Sequence, residues 1–170
     1  MTGLIIVGGK VDIKDVKAFI ARLGAIGKEC NVTVQAVNAD RIAGRAHIEF
    51  AANKAVEAFR NKENLARDLG METMLYLRGR RQIEKALELG VREGMNDVAI
   101  VIIGDSPGCA EDKARAVLDV VDGNVVDYGH AKDETLMKLY DITPEEIDIV
   151  GRERIPLLVI ERSALLEFEK

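Results

Sequence analysis

The chain has 170 residues, 48% of them apolar and 31% charged, with a formal net charge of -5. These proportions fit an ordinary soluble globular protein, and 170 residues suit a single domain, residues 1–170, that buries its own core. No run approaches the ~18 unbroken apolar residues of a membrane span, and nothing at Met1-Thr2-Gly3 resembles a signal peptide. Cys30 and Cys109 are the only cysteines. Without CxxC spacing they predict inert small side chains, no disulfide framework and a cytoplasmic, reducing location.

Along the chain, LIIVGG (4–9) is a short apolar run ended by two glycines, and predicts a strand. A helix follows, with Asp12 as N-cap and Ile13, Val16, Phe19, Ile20 and Leu23 on one face. NVTVQAVNA (31–39) is β-branched and predicts a second strand. Ile48, Ala52, Ala55, Val56 and Phe59 recur at helical spacing. ENLARDLGMETMLYL predicts a helix interrupted near Gly70, and RQIEKALEL a short helix ended by Gly90. DVAIVIIGD (97–105) is apolar on both faces, which predicts a central strand. CAEDKARAVLDVV reads as a helix, GNVVDYG as an edge strand and DETLMKLYDI as a helix. Thr143-Pro144-Glu145-Glu146 is a helix start, with Thr at the N-cap, Pro at N1 and Glu at N3. IPLLVIERSALLEF closes the chain, helical in spacing, although residues 157–160 also fit an extended run. The expected class is α/β of the α+β type, a small mixed sheet covered by several helices.

Catalytic signals are weak. GDSPG (104–108) matches the G-x-S-x-G elbow between a strand and a helix, which would make Ser106 a nucleophile. The residue after the nucleophile must donate its backbone N–H to the oxyanion hole, and Pro107 has none. His130 is the only histidine downstream to serve as base. Neither this loop nor VGGK (7–10) carries a phosphate-loop pattern, and Asp105, Glu111 and Asp112 would repel a phosphate. His47 and His130 form no metal-ligand spacing with carboxylates or cysteines. No cofactor and no metal are expected.

Charge is uneven. Arg41 to Arg92 holds 11 Lys+Arg against 7 Asp+Glu, whereas Asp105 to Lys170 holds 8 against 16. A basic middle and an acidic end fit two different partners, or two solvated faces. The densest feature is Arg78-Gly79-Arg80-Arg81, at the joint between two apolar segments.

The stretch NADRIAGRAHIEFAANKAVEAFRNKENLARDLGMETMLYLRGRRQIEKALELG resembles the small accessory subunit of the KEOPS complex, the TPRKB family and its archaeal counterparts. The likeness rests on Gly44 and His47 opening an alanine-rich helix to Ala58-Phe59, on Asn64, Leu65 and Glu72, and on LYLRGRRQI with Ala86 and Gly90. It is dense over residues 38–90 and looser in DVAIVIIG, YDITPEEID and LVIERSALL. The family usually carries a small polar residue where Arg78 stands, so that charge is a departure.

The resemblance implies a non-enzymatic subunit that binds and stimulates the small atypical kinase/ATPase subunit. It also implies binding to the 3′ CCA end of tRNA, in support of threonylcarbamoyladenosine synthesis. Guanidinium groups pair with phosphates and stack on unpaired bases, so Arg78, Arg80 and Arg81 are the expected RNA contacts, with Lys85, Arg45 and His47 beside them. An alternative has Arg81 and Gln82 capping the preceding helix. Leu157, Leu158, Ile160 and Leu165 crowd the C-terminal segment and are the expected kinase contacts. Two other readings stay open: a small α/β enzyme with its site at residues 104–109, and a protein-docking module without RNA contact.

Overall fold

The structure, a computed structural model, describes residues 2–169. Its first elements are β1 (Gly3–Ile13), α1 (Val16–Cys30), β2 (Thr33–Asn38), α2 (Arg45–Arg60), α3 (Leu69–Arg78) and α4 (Ile83–Ala86). Then come β3 (Gly94–Gly104), α5 (Gly108–Arg115), β4 (Val120–Val121), α6 (Asp133–Leu139), α7 (Pro144–Val150) and α8 (Ile155–Ala164), with 3-10 turns between. Two units form, each from two chain segments. One joins the chain up to Ala39 with Gly90–Val126; the other joins Asp40–Leu89 with the chain from Asp127 onward.

The first unit holds the sheet, in the order β2-β3-β1-β4. The α+β class is as expected, but every pairing is antiparallel, where a mixed sheet was expected. The β1–β3 ladder runs from Gly3↔Gly104 to Ile13↔Gly94 without a break. β3 is central, as its two apolar faces predict, and Val98 to Ile103 are all buried. β1 outruns its expected end because Val11 and Ile13 keep the alternation begun at Val7 and pack into the core. The cap therefore moves from Asp12 to Asp15, whose carboxylate accepts the Ala18 N–H at 3.1 Å. The edge strand is Val120–Val121, and Gly123–Val126 is a 3-10 turn, not the strand expected of GNVVDYG.

The glycines at the end of LIIVGG serve packing. A Cβ on Gly9 would lie 2.3 Å from the Val120 carbonyl oxygen, and one on Gly8 2.6 Å from a Val126 methyl. Only bare backbone admits β4 that closely.

The cysteines correct the sequence reading. Cys30, the last residue of α1, is bonded to Cys109 at the start of α5, with Cα atoms 5.6 Å apart. Helix packing makes this pair, since 79 residues separate the two in sequence and no spacing pattern announces them.

The second unit is helical. α2 buries Ile48, Ala51, Ala52 and Ala55, and packs on α3 and α8. A second cluster gathers Leu136, Tyr140, Ile155, Leu158 and Val159. ENLARD is a loop rather than helix. The buried Glu72 carboxylate accepts the Leu65 and Ala66 N–H groups at 2.9 and 2.7 Å, holding that loop against the first turn of α3. Asp68 then caps α3 through the Met71 N–H at 2.8 Å, and Gly70 lies inside the helix instead of breaking it. The capping box at Thr143 and Glu146 forms as the sequence predicts. The closing segment is helical, which resolves residues 157–160 as part of α8.

Candidate nucleic-acid interface

The arginine joint begins where α3 stops. Gly79 takes φ 74°, the left-handed value of a helix C-cap, and the Gly79 N–H donates to the Leu75 carbonyl at 2.8 Å. A Cβ at Gly79 would lie 2.6 Å from the Arg162 carbonyl oxygen, so shape and conformation both demand glycine.

That turn parts the three arginines instead of converging them. Arg78 points inward at 7% exposure, 3.3 Å from the Glu88 carboxylate and with its guanidinium 5.7 Å from the Tyr140 ring centroid. Arg80 is half-buried, 3.0 Å from Asp141. Arg81 is exposed and has no ion-pair partner among the described residues. Lys85 is exposed too, 4.0 Å from Glu88. Gln82 is the N-cap of α4, with no side-chain cap bond, and Gly79 rather than Arg81 caps α3. Side-chain capping by Arg81 and Gln82 is thus not what holds the joint.

Arg78 and Arg80 do share one feature. With Gly79, Tyr140, Asp141 and Arg162 they line a cavity of about 170 Å³. Arg162 donates to both oxygens of Glu146 at 2.7 and 2.8 Å, and that ion pair holds the Glu146 carboxyl below its usual range. Arg162 also donates to the Tyr140 and Asp141 carbonyls, at 3.2 Å each. The sequence reading missed Arg162 and Tyr140, because nothing local marks residues that reach the joint from about 60 or more positions away.

His47 is corrected outright. Its ring is fully buried, so it offers no surface to RNA. The Ala43 N–H donates to Nδ1 at 3.1 Å, which leaves the proton on Nε2 to face the Leu77 carbonyl at 2.9 Å and the Ser163 hydroxyl at 3.1 Å. Burial lowers its pKa to about 4, against the opposing pull of the Leu77 carbonyl. Arg45 is exposed and lies 3.3 Å from Asp127.

The C-terminal apolar residues also divide. Leu158 is packed in the second core cluster and Ile160 is half-buried, whereas Leu157 is 61% exposed and Leu165 is exposed. Ile149 and Phe168, at 84% and 85%, are more open still, and the sequence reading did not select them. Amphipathic spacing could have flagged Ile149, the outward residue of α7.

Near them, a polar cluster surrounds Asp133. Tyr128, His130 and Arg152 all reach its buried carboxylate. Burial alone would raise that carboxyl, but the bonds from Tyr128, Arg152 and His130 outweigh it and keep the group ionised to lower pH. His130 is thereby committed to a structural anchor. At the other candidate loop, Ser106 is exposed and is followed by Pro107, the N-cap of α5.

The family model described as kinase binding protein CGI-121 matches residues 11–167. The chain belongs to the CGI-121 family. The match takes in both units, including the arginine joint and the exposed apolar residues of α7 and α8. No curated relative matches the chain. As a CGI-121 protein it is a kinase-binding accessory chain by family. Among the described residues no helix is long and apolar enough to cross a membrane, and no group of histidine, cysteine and carboxylate side chains could hold a metal ion.

Proposed function

We propose that this chain is a non-catalytic, cytoplasmic KEOPS accessory subunit of the archaeal type. It binds and stimulates the small kinase/ATPase subunit and binds the 3′ CCA end of tRNA, in support of threonylcarbamoyladenosine synthesis. The observation that carries this reading is the CGI-121 match over residues 11–167. That match spans segments of both units, which supports treating residues 1–170 as one functional domain. For RNA the support is the exposed Arg81, which has no ion-pair partner among the described residues, beside Arg80, with Lys85 shortly after in the chain. Arg45 belongs to the same proposal. Arg78 and His47 do not, since both are buried.

A specific observation favours the runner-up, a docking module without RNA contact. Arg80 already has Asp141 as its partner at 3.0 Å, so RNA must compete for it. The enzyme reading is weaker, because Pro107 denies an oxyanion hole its backbone donor.

The deciding experiment measures tRNA binding to the isolated chain, with and without the CCA end, alongside a pull-down with the kinase subunit. Arg80→Glu with Arg81→Glu is expected to abolish tRNA binding, with circular dichroism unchanged and the kinase retained. Single strands give a salt slope of about -0.7 per phosphate, so a three- or four-cation clamp loses only a few-fold per doubling of salt. A folded double variant that binds tRNA like the parent would overturn the RNA reading and leave the docking module standing.

A further inference from the structure

Arg78 lines a second cavity, of about 340 Å³, together with Arg41, Glu88, Thr135, Lys138 and Leu139. A guanidinium carries five N–H donors, and burying one is costly unless they are paired. Arg78 is more than nine-tenths buried, yet Glu88 is its sole ion-pair partner among the described residues, at 3.3 Å. That carboxylate is itself shared with Lys85. The Arg78 Nε has no hydrogen-bond partner among the described residues. Arg41 donates one N–H to the Glu88 carbonyl oxygen. Lys138 on α6 is exposed and has no anionic partner among the described residues, and Thr135, one turn earlier, adds a hydroxyl.

Three cations and one carboxylate line the cavity, an excess of two positive charges beside a buried guanidinium that is incompletely paired among the described residues. We propose that this cavity is an anion site that takes a phosphate group. A dianionic phosphate or phosphate monoester matches the excess charge, and its three terminal oxygens match two guanidinium forks, an ammonium and a hydroxyl better than a carboxylate does. Space is adequate. At about 30 Å³ per water, 340 Å³ holds a phosphate with several waters. The site is independent of the RNA reading, since it uses Arg41 and Lys138 and not Arg81.

The test uses the full chain and inorganic phosphate, followed by thermal unfolding and titration calorimetry, with chloride at equal ionic strength as control. Phosphate is expected to raise the unfolding midpoint and chloride is not, because a ligand that binds only the folded state stabilises it. Lys138→Gln, an exposed change that spares the core, is expected to weaken phosphate about tenfold, the worth of one charge-assisted hydrogen bond. Arg41→Gln should do the same. Equal effects of phosphate and chloride, or unchanged phosphate affinity in both variants, would overturn the proposal. A tRNA arm separates the sources. Equal losses for tRNA and phosphate in Lys138→Gln identify a phosphate of the RNA chain; loss of phosphate alone identifies a free phosphate or monoester. Phosphate binding without any tRNA binding would uphold this site and defeat the RNA reading.

Discussion

The His47 ring is held by groups from three places in the chain: the Ala43 N–H, the Leu77 carbonyl and the Ser163 hydroxyl. All three suit the neutral imidazole, and burial keeps it neutral down to about pH 4. An unfolded chain takes up that proton near pH 6.5. Above 6.5 both states are neutral and the native state keeps its full margin. As pH falls from 6.5 to about 4, only the unfolded chain gains the proton, so stability is lost across that window. Between about pH 7 and about pH 4.5 the loss is on the order of 2–3 kcal/mol. Urea unfolding at both values should show the parent losing about that much more than His47→Gln. Helical spacing sets this histidine beside an apolar face, which is legible locally, whereas its place among the RNA contacts came only with the neighbouring arginines. Leu77 and Ser163, which draw it inward, lie 30 and 116 residues away. Arg78 misled in the same way. Its charge was legible, but its burial depends on Glu88 and Tyr140.

Among the elements, those decided by their own residues were readable. β3 is central because it is apolar on both faces, α2 shows its alanine stripe, and α7 announces itself with Thr143, Pro144 and Glu146. Elements decided by partners were not. The far end of β1, up to Ile13, pairs with β3 from about 80 residues away in sequence, and α5 and α1 meet only in three dimensions. Their Cys30–Cys109 bond yields a prediction at this scale. Closing a loop of that length removes unfolded-chain entropy worth roughly 4 kcal/mol. Dithiothreitol, which can reach the exposed Cys109, should lower the unfolding midpoint, and Cys30→Ser with Cys109→Ser should match the reduced protein. Thiol titration in denaturant should find none before reduction and two after.

At the scale of the molecule, the kinase contact proposed above rests on acidity and apolar exposure. The chain carries a net charge of -5, yet Ile149, Leu157 and Phe168 stand in solvent. A contiguous apolar patch marks a contact surface, and these three residues are the candidates for one here. The kinase complex is therefore expected to survive ~0.5 M salt, where the Debye length is only about 4 Å and exposed ion pairs are screened. Leu157→Asp with Ile149→Asp should break it while leaving circular dichroism unchanged, because neither side chain is part of a core. Dissociation by salt in a pull-down, or full binding by that double variant, would show that the contact is made elsewhere.

The interleaving of the two units also sets a timetable for synthesis. The chain passes from one unit to the other after Ala39, after Leu89 and after Val126. β1 is among the first residues made, but its full-length partner, β3, is not complete until Gly104. At about 5–20 residues per second, an apolar strand waits some 4–20 seconds beside the ribosome for its neighbour. Neither unit can finish before the other has begun, so β1 is without its full-length partner for roughly half of the chain's synthesis.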